Sequence, residues 1–84
     1  MDGKTSSYDV NAIKKQLVQK TLEEVCSALK ERGYNSINQV VGYLISGDPG
    51  YISSYKDCRN KILEFDRAEL CAVILEEYLN KWDV

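Results

Sequence analysis

The chain has 84 residues, 44% of them hydrophobic and 29% charged, and a formal net charge of −2. This length leaves room for a single domain, and this composition is typical of a folded soluble protein and excludes a disordered chain. The acidic excess lies near the C-terminal end, where residues 66–84 carry five acidic and two basic side chains, and the sequence has no concentrated basic face of the kind that binds nucleic acid. A domain of this size buries only about 60% of its unfolded surface, so dimerisation is an expected way to add burial.

The sequence has three cysteines and no histidine, which excludes several kinds of catalytic and metal site. The cysteines are Cys26, Cys58 and Cys71. A Ser-His or Cys-His nucleophile is impossible, and the cysteine spacing fits neither a compact zinc site nor a paired disulfide framework. We therefore expect no enzymatic activity, no metal and no cofactor, and interpret the cysteines as small buried apolar residues. No apolar stretch approaches about 20 residues and the first ten residues lack a secretion signal, which predicts a cytoplasmic protein that does not insert into membranes.

The first helix is predicted over residues 12–32. Asn11 can cap its start by accepting a hydrogen bond from a free N–H of the first turn, and Gly33 provides a left-handed stop at its end. Seven apolar residues recur at the three-to-four spacing of one helix face: Ile13, Leu17, Val18, Leu22, Val25, Cys26 and Leu29.

The second helix is predicted from Asn35, its cap, to Gly47, its stop. Gly42 lies inside this helix at a cost of about 1 kcal/mol relative to alanine, which predicts the close approach of another helix backbone. Pro49 directs Asp48 away from helical geometry, so "SGDPG" is predicted to be a turn. The expected buried stripe of the helix consists of Ile37, Val40, Val41, Leu44 and Ile45.

The stretch "SGDPGY" also allows a second interpretation, a loop that binds phosphate. Glycine-rich turns can present backbone N–H groups to an anion at the N-terminus of a helix. This one lacks the Lys-Ser/Thr pair of the nucleotide-binding P-loop, and no predicted strand precedes it. We therefore favour a turn between helices over a ligand site.

The C-terminal part predicts a short helix over about residues 55–64 and a last helix over about residues 67–81. Asp66 and Glu69 have the spacing of a capping box at the start of the last helix. Asp57 and Arg59 are too close in sequence to face each other, and we expect each to clamp a neighbouring helix end. The last helix has an apolar stripe wider than one thin core needs, which indicates a buried or intersubunit helix: Leu70, Cys71, Val73, Ile74, Leu75, Tyr78, Leu79 and Trp82.

Residues 1–10, "MDGKTSSYDV", are polar and precede the first helix, so we expect a flexible N-terminal tail. Thr5, Ser6 and Ser7 stand in a row in this tail. Composition leaves two hypotheses open: a frayed terminus without a function, or a phosphoacceptor tail in which a phosphate would add a charge of about −1.5 to −2.

Three stretches between Leu22 and Leu79 form a specific pattern: "ALKERGYNSINQVVGYLISGDPGYI", "KDCRNKI" and "DRAELCAVILEEYL". On these stretches the chain resembles the IreB family of small regulatory phosphoproteins of Firmicutes bacteria. The chain departs from the family pattern at Ser36, where proline is usual, at "ISS", where Ile-Pro-Arg is common, and at Cys58, where alanine is usual. The turn is therefore expected to be looser here, while Cys58 is a small-for-small exchange that suits a buried position.

The resemblance implies an all-α fold, a small compact bundle of about four to five helices that forms a homodimer and has no enzymatic activity. It further implies a cytosolic substrate of a membrane Ser/Thr kinase, opposed by a partner phosphatase, that modulates cell-envelope stress or cephalosporin resistance through an unknown downstream protein. The acceptor implied is Thr5, with Ser6 and Ser7 as substitutes. The remaining residues of the motif are expected to be structural: Gly33, Tyr34, Asn35, Asn38, Gln39, Gly42, Tyr43, Gly47, Asp48, Pro49, Asp57, Arg59 and Asn60.

The expected organisation is thus a tail over residues 1–10 and one helical domain over residues 11–84. Two other functions stay open on the residues alone. Short helices joined by tight turns allow a nucleic-acid-binding domain, which salt-dependent binding to DNA or RNA would reveal. The second open function is an assembly scaffold without a phospho-switch, which an unchanged cellular phenotype after deletion of the tail would favour.

Overall fold

The fold is described by a computed structural model over residues 11–81. Four α-helices lie in this range: α1 (Ala12–Glu31), α2 (Ser36–Ser46), α3 (Cys58–Ile62) and α4 (Arg67–Asn80). Two 3₁₀ turns, Pro49–Tyr51 and Tyr55–Asp57, connect α2 to α3, and residues 11–81 contain no β-strand. The predicted all-α fold of four to five helices is confirmed, whereas the homodimer stays a prediction.

The ends of α1 and α2 lie where local chemistry places them. The side chains of Asn11 and Asn35 accept hydrogen bonds from the backbone N–H three residues on, at 2.8 Å and 3.0 Å. Gly33 and Gly47 have φ angles of 89° and 77°, in the left-handed region where a side chain is strained. The predicted caps and stops of both helices are therefore confirmed.

The start of α4 is also as predicted. The backbone N–H of Asp66 donates to Oε1 of Glu69 at 3.1 Å, which is the reciprocal half of a capping box. The helix runs to Asn80, one residue short of the predicted end. Trp82, the last member of the predicted stripe, lies outside the described residues.

One predicted helix is wrong in its extent. Instead of a single helix over 55–64, the chain forms the 3₁₀ turn Tyr55–Asp57 and then the five-residue α3. Lys56 and Asp57 have φ angles of 51° and 63°, so the backbone is left-handed at two successive residues and a continuous helix is impossible. The apolar residues Ile52, Cys58 and Ile62 all reach the core, which is why their spacing mimicked one longer helix.

The core lies along α1, against which α2, α3 and α4 each pack, and Ile52 from the segment before α3 completes it. Burying a Leu, Ile or Val side chain in this core stabilises the fold by about 1.5–3 kcal/mol relative to leaving it exposed. The buried residues of the core are Val18, Val25, Ala28, Leu29, Val40, Tyr43, Ile52, Cys58, Ile62, Leu70 and Val73.

The predicted buried stripe of α2 is wrong at three of its five members. Val40 is buried and Leu44 is half-buried against the core, and Tyr43, which was not in the predicted stripe, is buried as well. Ile37 and Ile45 are 71% and 78% exposed, and Val41 is also exposed. The helix packs on the core through the side that carries Val40 and Tyr43, so Ile37, Val41 and Ile45 face outward.

The apolar stripes of α1 and α4 also extend beyond the core. On α1, Ile13 and Leu17 are 73% and 52% exposed, although both belong to the predicted stripe. On α4, Leu70 and Val73 are buried, whereas four further members of the predicted stripe are exposed: Ile74, Leu75, Tyr78 and Leu79. The predicted excess of apolar surface on α4 is therefore present in the described chain.

Candidate functional site

Two motif residues hold opposite ends of one peptide group. The backbone N–H of Ser53 donates to Oε1 of Gln39 on α2 at 2.9 Å, and Nε of Arg59 on α3 donates to the carbonyl of Ile52 at 2.9 Å. The Ile52 carbonyl and the Ser53 N–H belong to the same peptide unit. Because Ile52 is fully buried, these two bonds satisfy a peptide group that water reaches poorly. Arg59 thus clamps the end of the first 3₁₀ turn, whose cap is Ile52.

Gly42 makes room for an aromatic ring. A Cβ at this position would collide with the ring of Tyr51, which lies in the 3₁₀ turn after α2. The expected close approach of another helix backbone is wrong, and a side chain takes that place. The glycine therefore allows the Pro49–Tyr51 turn to fold back against the helix that precedes it.

The turn after α2 is filled by its own hydrogen bonds. The Ser46 hydroxyl donates to the Gly42 carbonyl at 2.7 Å and accepts from the Asp48 N–H at 3.0 Å. Oδ1 of Asp48 accepts from the Gly50 N–H at 2.8 Å. Two N–H groups that a phosphate would need are thus engaged, and a carboxylate stands among them, so the geometry disfavours the phosphate-loop interpretation. Pro49 opens the 3₁₀ turn, where it requires no N–H partner.

The connection between α1 and α2 is stabilised by backbone bonds. The N–H of Tyr34 donates to the Leu29 carbonyl at 2.9 Å, which together with left-handed Gly33 closes a Schellman motif. Tyr34 is 40% exposed. The backbone N–H of Asn38 serves the cap of α2. These motif residues lie along one connection and do not converge on a pocket with Arg59.

Asp57 interacts within its own turn. Its Oδ1 accepts from Nδ2 of Asn60 at 2.8 Å, while its backbone is left-handed. The expectation that Asp57 clamps a neighbouring helix end is therefore wrong. This bond instead supports the strained residue from which α3 begins.

A charged and aromatic cluster at the C-terminal end of α1 was not predicted from the sequence. Glu31 accepts from Nζ of Lys56 at 3.0 Å and from the Tyr55 hydroxyl at 3.2 Å, and Arg32 lies 5.4 Å from the centre of the Tyr55 ring. The hydrogen bond from Lys56 lowers the pKa of Glu31, and the same pair raises the pKa of Lys56. The cluster fastens the second 3₁₀ turn to α1, at contacts too distant in sequence for any spacing rule.

The cysteines have the character of packing residues. Cys58 is buried, and its thiol lies 3.7 Å from the Val25 carbonyl, whereas Cys26 and Cys71 are half-buried. Burial raises the pKa of the Cys26 and Cys58 thiols, which disfavours the nucleophilic thiolate. Within residues 11–81 no group of three potential ligands converges as a metal site, and no helix there is long and apolar enough to cross a membrane.

An open trough lies between α1, α2 and α4, and we call it the α1–α2–α4 trough. It consists of two adjoining cavities of about 350 Å³ and 460 Å³ that share Leu22 and Ile74. The smaller, apolar cavity is also lined by Cys26, Ile37, Val40, Val41 and Leu44. The larger is also lined by Gln19, Glu23, Val73, Glu77, Tyr78 and Lys81. Sequence reasoning missed this surface, although the apolar excess on α2 was its signal.

The predicted phosphoacceptors Thr5, Ser6 and Ser7 lie outside the described residues. In comparison with protein families, residues 3–80 match the family model described as IreB regulatory phosphoprotein. The matched range leaves out only the first two and the last four residues, and it includes Thr5. It extends beyond the segment from Leu22 to Leu79 that carries the resemblance in the sequence.

Proposed function

Since this chain belongs to the IreB regulatory phosphoprotein family, we propose that it is a non-enzymatic regulator whose N-terminal tail is a substrate of a membrane Ser/Thr kinase. Thr5 is the acceptor, with Ser6 and Ser7 as substitutes, and a partner phosphatase reverses the modification. The single observation that carries this proposal is the family match, which spans the tail as well as the helices.

The physical effect of the modification is a change of charge. A phosphate adds about −1.5 to −2 charges to a chain whose net charge is −2. Thr5, the proposed acceptor, is six residues before Asn11, which caps α1. Lys14 and Lys15 lie in the first turn of α1. These lysines pair with Glu69 and Glu76 of α4 at 3.0 Å and 3.4 Å. A phosphate within reach of that edge competes with the two carboxylates for the lysines and alters the surface that a partner meets.

Phosphorylation is tested with the host's membrane Ser/Thr kinase, full-length protein and mapping of the modified residues by mass spectrometry. We expect phosphate on Thr5, its loss in Thr5→Ala, and its removal by the partner phosphatase. Thr21→Ala is the matched control, because Thr21 is the other threonine of the chain and lies within α1. Modification confined to residues 11–81, or no modification, would contradict the proposal.

The cellular role that we propose is the control of cell-envelope stress or of cephalosporin resistance from the cytoplasm. A deletion strain complemented with wild type, Thr5→Ala or Thr5→Glu separates the two phosphorylation states. The two variants are expected to shift the inhibitory concentration of a cephalosporin in opposite directions. Equal resistance in all three strains would favour a scaffold without a phospho-switch.

We also propose that the protein acts as a homodimer formed through the outward side of α4. Leu75 and Leu79 lie on this side and are 57% and 43% exposed, which is a large apolar area for a thin core to leave uncovered. Light scattering at tens of micromolar is expected to give a dimer for wild type and a monomer for Leu75→Asp. Ile13→Asp, which replaces a still more exposed aliphatic residue on α1, is expected to stay dimeric. A monomeric wild type would refute this part.

A further inference from the structure

The α1–α2–α4 trough has the geometry of a groove that accepts a helix. Each of the three helices lines it with residues at three-to-four spacing, such as Leu22 and Cys26 on α1 and Ile37 and Val41 on α2. Its two cavities, of about 350 Å³ and 460 Å³, adjoin through shared residues and have the size of pockets that hold anchoring groups. The lining is exposed at Ile37, Val41 and Ile74, by 71%, 43% and 39%. An apolar groove left open in this way marks an interaction site.

The apolar cavity determines the backbone of the occupant. Its lining residues are aliphatic or cysteine, so it offers no side-chain partner to the N–H and C=O groups of an extended peptide. Residues 11–81 also contain no sheet edge to which a strand could be added. A helix satisfies its own backbone groups and can insert apolar side chains at the same spacing, so a helix is the occupant that the groove favours.

The larger cavity determines the charge of the occupant. Its charged lining residues are Glu23, Glu77 and Lys81, with a net charge of −1. Gln19 hydrogen-bonds to Glu77, whereas Glu23 makes no ion pair with any residue that the structure describes. A second copy related by two-fold symmetry would bring the same net negative surface against itself, and juxtaposed like charges oppose association. A basic partner gains attraction at the same place.

We propose that the α1–α2–α4 trough binds a basic amphipathic helix of a partner protein, with its apolar residues against Ile37, Val41 and Ile74 and a Lys or Arg beside Glu23 and Glu77. The inference deepens the proposed function, and rests on it in one respect: a regulator without catalysis must act by binding. It concerns a surface distinct from the outward side of α4 that carries Leu75 and Leu79.

The test uses the full chain and a displayed library of amphipathic helical peptides, in which both acidic and basic residues are allowed at every polar position. Selection on wild type is expected to enrich peptides of net positive charge. The enriched peptides should bind Ile37→Asp at least about 10-fold more weakly, as for an anchor contact, and Ile45→Asp as well as wild type. The control is matched, because Ile45 is the other highly exposed isoleucine of α2 and does not line the trough.

A second pair of variants tests the charge. Glu23→Lys is expected to weaken binding by about 3–10-fold through repulsion of the basic peptide, with a smaller loss at high salt. Glu24→Lys makes the same charge change one residue along α1, outside the trough lining, and is expected to have little effect. Circular dichroism of all four variants verifies that the helices remain, since each substitution is at an exposed position.

Three results would overturn the inference. The first is enrichment of no peptide, or of neutral or acidic ones. The second is equal binding to Ile37→Asp and Ile45→Asp. The third is conversion of a dimer to a monomer by Ile37→Asp, which would identify a second copy as the occupant. Phosphorylation of Thr5 is measured separately on the same variants, so failure of the kinase experiment refutes the proposed function without affecting the docking result.

Discussion

Replacing Arg59 with alanine should destabilise the fold through a single lost hydrogen bond. Nε of Arg59 donates to the Ile52 carbonyl at 2.9 Å, and Ile52 is fully buried. A hydrogen bond from a charged donor contributes about 1.5–3 kcal/mol, and because Arg59 is only half-buried we expect a loss of about 2 kcal/mol. Replacing Gln39 leaves the Ser53 N–H without its partner, at an expected cost of about 1–2 kcal/mol.

The two losses should not be additive, because both bonds end on one rigid peptide group. Once either Gln39 or Arg59 is removed, the Ile52–Ser53 peptide can rotate and the remaining bond loses its alignment. The double variant is therefore expected to cost about 0.5–1 kcal/mol less than the sum of the single variants. Independent bonds to separate peptide groups would give a sum within about 0.3–0.5 kcal/mol.

The assay is urea unfolding followed by far-ultraviolet circular dichroism at one fixed protein concentration, since self-association would make stability depend on concentration. If the free energy of unfolding falls by about 1 kcal/mol per molar urea, the urea concentration at the midpoint of unfolding should be about 2 M lower for Arg59→Ala than for wild type. Lys61→Ala is the control, because Lys61 also lies on α3 and is half-buried but makes no side-chain hydrogen bond to a described residue. If the free energies of unfolding of Arg59→Ala and Lys61→Ala differ by less than about 0.5 kcal/mol, the clamp does not stabilise the fold.

Three further predictions concern single positions. Gly42→Ala should destabilise by about 1 kcal/mol in urea unfolding, because overpacking against Tyr51 exceeds the gain in helix propensity, and it should become stabilising once Tyr51→Ala removes the ring. Gly47→Ala should cost about 1–2 kcal/mol in the same assay, because φ is 77°; no loss would contradict the left-handed stop. Nuclear magnetic resonance titration should show a pKa of Glu69 below its ordinary value, because Lys14 hydrogen-bonds to it, and a rise in Lys14→Gln. Because the pKa of Glu69 is lower in the folded state, its ionised form stabilises the fold at pH values above the ordinary carboxyl pKa, and this stabilisation is lost as the pH falls through the folded-state pKa. An undepressed pKa in the titration would contradict this prediction.

Helix ends were predictable because the groups that form them are close in sequence. Asn11 and Asn35 reach N–H groups three residues away, and Gly33 and Gly47 act through their own φ angles. None of these features needs a distant partner.

The break at Lys56 and Asp57 depends on contacts that spacing does not encode. Lys56 pairs with Glu31, 25 residues earlier, and the Tyr55 hydroxyl donates to the same carboxylate. These distant contacts accompany two left-handed residues that local propensity disfavours at about 1–2 kcal/mol each. Periodicity therefore gave one helix over 55–64, where tertiary contacts favour a turn and a shorter helix.

The clamp was only partly accessible from the sequence, for a related reason. Gln39 and Arg59 both stand in the motif, and Arg59 was expected to clamp a helix end. The sequence does not show that both side chains reach a single peptide group, because their partners lie 14 and 7 residues away in a segment without regular structure. Both contacts depend on burial of the Ile52 side chain in the core, which places the Ile52–Ser53 peptide group beside Gln39 and Arg59.

The misassigned face of α2 connects the fold to the proposed docking surface. Val40 and Tyr43 turn to the core, Gln39 holds the Ser53 N–H, and Gly42 receives the Tyr51 ring. These contacts fix the rotation of the helix about its axis, which leaves Ile37, Val41 and Ile45 outside the core. A helix held this firmly by its other sides does not need these three residues for stability. The exposed apolar residues of α2 that line the trough, Ile37 and Val41, are therefore better explained by a partner than by the core, and weaker peptide binding by Ile37→Asp than by Ile45→Asp would show it.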